Sequence, residues 1–233
     1  MPSDFYRRED ERSHPPFAHA AYASTHKRAP RHAPIRIEQT LSEITGPRFT
    51  RELLGEGDAD MTHFNGGEAL GERIIVAGRV LDEDSRPICG TLVEIWQANA
   101  AGRYAHDADR HDAPLDPHFC GIARVMTDAT GAYRFVTVKP GAYPWRNHRN
   151  AWRPNHIHFS LLGPGFATRL VTQMYFPGDP LLALDPIFNS VPSADARSRL
   201  VADFDIALTV PERALGYRFD IVLRGRDATP MEP

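Results

Sequence analysis

From about residue 68 onward, hydrophobic residues recur at every second position, the period of strands with one face in a core. "ERIIVAGRVLD" (72–82) reads as a strand, "EDSRPICG" (83–90) as a turn and "TLVEIWQAN" (91–99) as the next strand. "ARVMTD", the glycine-containing turn "ATG" and "AYRFVTV" (123–138) predict a hairpin. "HIHFSLL" (156–162), "TRLVTQMYF" (168–176) and "YRFDIVLRG" (217–225) complete the set. The last alternates without a break, with Tyr217, Phe219, Ile221 and Leu223 on one face and Arg218, Asp220, Val222 and Arg224 on the other. One helix is expected in "SADARSRLVADF" (193–204), with Ser193 as N-cap and Asp195 in its first turn. The fold class that follows is mainly β: a β-sandwich with little helix, interrupted by long loops at 98–120 and 140–153. Loops of that length in a compact domain usually carry function.

The first part of the chain breaks this pattern. "SHPPFAHAAYASTHKRAPRHAPIRI" (13–37) is rich in His, Pro, Ala and Arg and has neither period. A free chain of that composition stays disordered, or it lies as an extended arm over a partner subunit. Phe5, Tyr6, Phe17 and Tyr22 favour the arm. Residues 1–65 are therefore expected to form an irregular N-terminal arm, and 66–233 the sandwich domain.

Bulk properties exclude more than they assign. The chain has 233 residues, 42% hydrophobic and 24% charged, enough for a sizeable core. A formal net charge of −3 lacks the broad basic character of a nucleic-acid binder. No apolar run reaches membrane-spanning length, and the first residues, "MPSDFYRREDERSHPPF", lack a signal-peptide core. Cys89 and Cys120 are too few for a disulfide framework and lack zinc-site spacing. A cytoplasmic protein with two reduced thiols is expected.

Chemistry enters with "RPNHIHF" (153–159). On a strand, His156 and His158 share one face, Ile157 and Phe159 the other, and the two histidine Cβ atoms lie about 6.6 Å apart. Pro154 keeps Arg153 extended. A half-exposed strand carrying two histidines by chance would look the same. The neighbouring loops add Tyr104, Tyr143, Trp96, Trp145 and Trp152, of which either tyrosine alone is ordinarily a packing residue. Two imidazoles and two phenols together suit a metal. Phenolate is a hard anion whose pKa near 10 must be lowered by strong positive charge. A trivalent ion does that, and tyrosinate ligation of ferric iron is known in haem chemistry. Fe(II) oxygenase sites instead use two histidines and a carboxylate. If these four are a ligand set, they point to Fe(III).

From about Gly66 to Gly225 the chain resembles the intradiol ring-cleaving dioxygenases, and among them the iron-bearing β subunits of the protocatechuate-cleaving branch. The motifs are "GERIIVAGRV", "TLVEIWQANAAGRY", "APLDPHF", "KPGAYPWRN", "WRPNHIHF", "TQMYFPGDPL" and "YRFDIVLRG"; "AAYASTHKRAP" resembles the family's arm. The resemblance implies one Fe(III) per chain on Tyr104, Tyr143, His156 and His158, with Tyr143 and His156 axial. The spacings of 39 residues between the tyrosines and 13 from Tyr143 to His156 agree. It implies a catalytic Arg153, a releasable Tyr143, pocket positions at Trp145, Gln173 and Ile187, and contact with a substrate carboxylate through Tyr22 and Arg28. It further implies O2-dependent cleavage of protocatechuate to 3-carboxy-cis,cis-muconate, a step of aromatic catabolism in the β-ketoadipate pathway. The implied partner is a paralogous α subunit without iron ligands, in an αβ unit and a higher oligomer.

Trp96 and Trp152 are expected in the core or packed behind the ligands, and His106, His111, His118 and His148 as polar loop residues. Two positions depart from the family: Ala142 where proline often precedes the tyrosine, and Asn155 where alanine often precedes the histidine. A binding module that has lost its chemistry is the competing class, against which the intact Tyr, His and Arg set counts. Catechol or hydroxyquinol are the competing substrates; the block from Trp96 to Phe119 and the lack of a long helical N-terminal domain favour protocatechuate.

Overall fold

Two antiparallel-rich sheets, facing each other across one core, carry the site. The structure is a computed structural model that describes residues 12–33, 35, 52, 54–163 and 169–232. Phe5 and Tyr6 lie outside the described residues. The strands are β1 (His63–Phe64), β2 (Gly67–Glu68), β3 (Arg73–Leu81), β4 (Leu92–Trp96), β5 (Ile122–Met126), β6 (Ala132–Val138), β7 (Tyr143–Pro144), β8 (Trp152–Arg153), β9 (His156–Leu162), β10 (Leu170–Tyr175), β11 (Asp203–Phe204), β12 (Leu215–Arg218) and β13 (Ile221–Val222). One sheet runs β10-β9-β4-β5; the other is centred on β3, flanked by β6 and by β12 and β13, with β11 outside β12. The short pairs β1–β2 and β7–β8 stand apart. Among the described residues helix is confined to short pieces: α1 (Thr25–Arg28), a 3₁₀ segment at Pro180–Leu184, α2 (Pro186–Ser190) and α3 (Ala194–Ser198). Among the described residues no helix is long and apolar enough to cross a membrane.

The inward residues of both sheets make the core. Ile74, Val76, Val80, Phe135 and Ile221 from one sheet meet Val93, Ile95, Ile157, Phe159, Leu161 and Met174 from the other. Phe159 is its pivot, with ring contacts to Tyr133 at 6.0 Å, Phe135 at 5.9 Å and Phe219 at 5.2 Å. Each such fully buried side chain contributes about 1.5–3 kcal/mol of transfer free energy. The expected sandwich is what forms.

The predicted hairpin at 123–138 does not form. Both strands exist, but β5 pairs with β4 and β6 with β3, in different sheets. The Asp128–Gly131 turn, closed by Gly131 N donating to Asp128 O at 3.0 Å, carries the chain across the sandwich. Alternation specifies that a strand has an inner face; it does not specify the neighbour. The final strand alternates as expected but divides into β12 and β13, both in one register on β3, with Tyr217 opposite Val76 and Ile221 opposite Val80. The helix at 193–204 begins where expected: the Ser193 hydroxyl accepts from Ala196 N at 3.3 Å and Asp195 sits in the first turn. It ends after five residues because the chain turns into β11.

Candidate metal centre

Strand β9 is buried on both faces, so its histidines are not an accident of a solvent-facing side. Ile157, Phe159 and Leu161 enter the core, while His156 and His158 turn the other way with ring centroids 4.8 Å apart. Two loops close over that face. Asn99, at the end of the Trp96 strand, organises the first: its side-chain oxygen accepts from Ala101 N at 3.0 Å and Arg103 N at 2.9 Å, and its amide donates to Pro114 O at 2.9 Å. Its carbonyl accepts from Gly102 N and Gly141 N, which lashes the first loop to the second. Gly102 has φ +79°, and a Cβ there would lie 2.2 Å from Ala142 O. Only glycine lets the loops approach this closely. The rings of Tyr104 and Tyr143, one from each loop, meet edge to face at 5.3 Å.

The four donor groups converge. Tyr104 Oη lies 3.2 Å from His158 Nε2, and Tyr143 Oη lies 3.4 Å from His156 Nε2. These spacings match the roughly 3 Å edge between cis donors whose bonds to a metal are about 2.1 Å. Tyr143 and His156 are thus closer than the roughly 4.2 Å of a trans pair, and the structure does not place them as the axial pair that the resemblance implies. Among the described residues no cluster of three His, Cys, Asp or Glu side chains gathers on one point; here half the donors are phenols. His156 Nδ1 lies 2.7 Å from Pro154 O, which as an acceptor fixes the Nδ1–H tautomer and leaves the Nε2 lone pair to the site. Burial, then Arg153 and His158, hold the His156 pKa well below the ordinary value, so the ring is neutral and able to ligate. Burial raises the Tyr104 phenol well above its usual pKa, helped by Tyr143, and burial also raises Tyr143. Two protonated phenols of that kind ionise only against added positive charge. The donor set thus fits a trivalent ion and suits a divalent one poorly.

Arg153 is 2% exposed and fully engaged. Its Nε donates to Asp185 Oδ1 at 3.1 Å and its Nη2 to Asp185 Oδ2 at 2.8 Å. Nη2 also donates to Gln173 Oε1 at 2.7 Å and Tyr175 Oη at 3.0 Å, while Nη1 faces His156 Nε2 at 3.1 Å. Burial alone would lower its pKa, but Tyr175, Asp185 and Tyr143 more than reverse this, and the guanidinium stays charged. The guanidinium also lies 5.4 Å over the Trp145 ring. Trp145 meets Tyr22 edge-on at 5.0 Å, and Arg28 lies 4.6 Å over Tyr22. The arm residues therefore reach the site through Trp145. Asn147 holds them there: Ser24 N donates to its Oδ1 at 2.9 Å, and its Nδ2 donates to Ser24 Oγ at 2.7 Å.

Several residues sit differently from expectation or went unread. Ile187 is buried on α2, two residues along the chain from Asp185. Trp96 stacks flat on His158 at 4.8 Å and 4°, but Trp152 is 43% exposed and edge-on to His111 rather than in the core. His118 contacts Phe64 O, whereas both His148 ring nitrogens are buried without a hydrogen-bond partner beside Trp145. Asn155 engages through its backbone N–H, which donates to Asp179 Oδ2 at 2.9 Å. Sequence reading missed Asp185, Tyr175 and Glu232. "DP" before a short helix was the one signal for Asp185, which caps α2 by accepting from Phe188 N at 3.2 Å. Glu232, next to the last residue, had no signal. Its Oε2 lies 3.5 Å from His158 Nδ1. Burial raises its pKa, but His158, Gln173 and Arg153 outweigh that and hold the carboxyl below its usual value.

The fold and this constellation define an intradiol-type dioxygenase, and the comparisons agree. A family model described as Dioxygenase matches residues 44–225, and one described as protocatechuate 3,4-dioxygenase beta subunit N terminal matches residues 6–40. The chain belongs to the intradiol dioxygenase family. Within it, the chain is 61% identical to the protocatechuate 3,4-dioxygenase beta chain of Burkholderia cepacia, over 94% of each chain. It is 33% identical to the alpha chain from the same organism, over 83% of this chain and 96% of that one. Among solved structures, hydroxyquinol 1,2-dioxygenase from Pseudomonas putida DLL-E4 superposes with a TM-score of 0.54 at 26% identity, covering 70% of this chain and 58% of that one. The dioxygenase domain of a carbohydrate-binding fusion from Streptomyces sp. SirexAA-E gives 0.52 at 26% identity, covering 77% and 94%.

Proposed function

We propose that this chain is the iron-bearing subunit of a protocatechuate 3,4-dioxygenase. It would cleave 3,4-dihydroxybenzoate with O2 between the two hydroxylated carbons, to 3-carboxy-cis,cis-muconate, in the β-ketoadipate route of aromatic catabolism. Tyr104, Tyr143, His156 and His158 hold one Fe(III), and a paralogous α chain completes an αβ unit and a larger assembly in the cytoplasm. The observation that carries this reading is the convergence of two phenols and two imidazoles, spaced as cis donors, beside a buried guanidinium. Fe(III) bound there would supply the charge that keeps both tyrosines ionised and the Lewis acidity that draws in both catechol oxygens.

The chain's own residues do the rest. Tyr143 lies on the two-residue strand β7, in a loop, and can leave at small cost to the fold. Its buried setting raises its pKa, so once released it keeps the proton it has taken from a substrate hydroxyl. His156, locked by Pro154 O, stays in place while Tyr143 moves. Arg153 is held in a fork by Asp185 and remains charged, a fixed cation for negative charge developing on the ring. Tyr22, edge-on to Trp145, and Arg28, lying over Tyr22, offer a hydroxyl and a guanidinium to a ring carboxylate. That pair favours protocatechuate over catechol, which has no carboxylate to meet it.

The test is the visible spectrum of the chain purified with its α partner. Tyrosinate-to-Fe(III) charge transfer should colour it burgundy-red, and anaerobic protocatechuate should move the band. Iron-loaded protein without that band would overturn the ligand assignment.

A further inference from the structure

We propose that Glu232 is a positioning residue for the metal centre: its carboxylate orients the His158 ring. This rests on the reading of the site given above. The two ligand histidines have unequal support. His156 is fixed by a carbonyl two residues away, Pro154 O, at 2.7 Å from its Nδ1. His158 lies within the ladder, opposite Gln173 on β10 and Trp96 on β4, and its Nδ1 is buried without a hydrogen bond. Trp96 stacks on the ring at 4.8 Å and 4°, which fixes the ring plane. Stacking cannot choose between the two orientations related by a half-turn about Cβ–Cγ, because both lie in that plane. One of them aims Nε2 at Tyr104, and the other turns it away. The choice falls to whatever faces Nδ1, and that group is Glu232 Oε2 at 3.5 Å, a short closure from a hydrogen bond.

Glu232 is placed for this by its own segment. Its N–H donates to Val171 O at 2.7 Å, Pro230 O accepts from Thr172 Oγ1 at 2.6 Å, and Met231 N donates to His14 Nδ1 at 3.2 Å. The tail lies as an added strip along β10, tied to the arm. A carboxylate behind a ligating imidazole fixes its tautomer and makes it a stronger donor, and losing such a partner lowers metal affinity roughly 10–100-fold.

The experiment compares wild type, Glu232→Ala and Glu232→Gln, each purified with the α partner. It measures iron retained against a chelator, the position of the charge-transfer band, and the Fe(III)/Fe(II) midpoint potential. Glu232→Ala should lose iron about 10–100-fold more readily, shift the band and move the potential positive, because His158 becomes a poorer donor. Glu232→Gln keeps an oxygen acceptor for Nδ1–H and should recover most of the iron retention, while the potential stays positive of wild type for want of the negative charge. A tail that merely packs would leave band and potential unmoved in both variants, and that result overturns the proposal. Wild type that holds iron without a tyrosinate band would instead refute the ligand set itself, and this proposal would fall with it.

Discussion

At the scale of single residues, the site depends on a charge that cannot leave. The Arg153–Asp185 pair is buried on both sides, at 2% and 0% exposure, with Tyr175 Oη donating to Asp185 Oδ2 at 3.0 Å. Replacing such a pair wholesale can be nearly neutral, but removing one partner strands the other in a low-dielectric interior, at about 3–5 kcal/mol. Asp185→Ala should therefore lower unfolding free energy by about that amount in a urea titration. It should also slow turnover, as the guanidinium turns toward other acceptors. Unchanged stability would show that water reaches the pair. The tyrosines should behave unlike each other. Tyr143→Phe is expected to retain iron, because three donors and the ladder that carries both histidines remain, and to slow anaerobic protocatechuate binding in stopped flow. Wild-type binding kinetics in that variant would remove the releasable role. Tyr104 has its backbone N–H bonded to Asp109 Oδ2 at 2.8 Å and sits in a loop pinned by Asn99. No comparable freedom is open to it.

At the scale of elements, the point where β12 passes into β13 leaves no room for a side chain on Gly78 of β3. A Cβ on Gly78 would fall 1.8 Å from Phe219 O and 3.0 Å from Tyr133 Oη, and the same Phe219 carbonyl accepts from the Tyr133 hydroxyl. The obstruction is backbone, so no rotamer relieves it. Gly78→Ala should push β12 and β13 off β3 and destabilise the domain by several kcal/mol, on the order of severe overpacking in a core. Thermal denaturation or loss of soluble yield would register it, and a midpoint near wild type would mean that the strands can part without cost. Nothing in "VAGRVLD" marks this glycine, since the clash comes from a residue 141 positions away in the ladder register. The inner faces were legible because alternation is a local property: Ile157 and Phe159 against His156 and His158, or Tyr217 against Arg218. Strand partners were not. The β5–β6 turn looks the same whether the chain folds back or crosses over, and only packing decides. The four donors could be read from residue type and motif, whereas Asp185, Tyr175 and Glu232 become visible only once β9, β10, α2 and the tail are in place.

At the scale of the whole molecule, both ends of the described chain lead back to one side of the sandwich. Arg12 O accepts from Ser193 N at 3.2 Å, His14 meets the tail at Met231, and Ser24 is clasped by Asn147. Residues 12–33 of the segment read as an arm are therefore seated on their own chain near Trp145; that the arm also covers a partner subunit belongs to the proposed assembly. The clasp at Asn147 is its hold next to the site, and it consists of two side-chain hydrogen bonds, with a third contact from Ala23 N to Asn147 O at 3.3 Å. Asn147→Ala removes the two side-chain bonds and keeps the backbone one. At about 1 kcal/mol for each net hydrogen bond, local opening of residues 22–28 should rise by roughly tenfold or more. Lys27 and Arg28 are exposed and give trypsin its target. Under conditions where opening is faster than cleavage, the rate of cutting tracks the open population, so cleavage after Arg28 should accelerate by about the same factor while the global unfolding midpoint hardly moves. Because Tyr22 and Arg28 travel with the segment, KM for protocatechuate should rise more than kcat falls, and a catechol without a carboxylate should be little affected. Equal losses for both substrates would mean that the arm supports the loop and does not read the carboxylate.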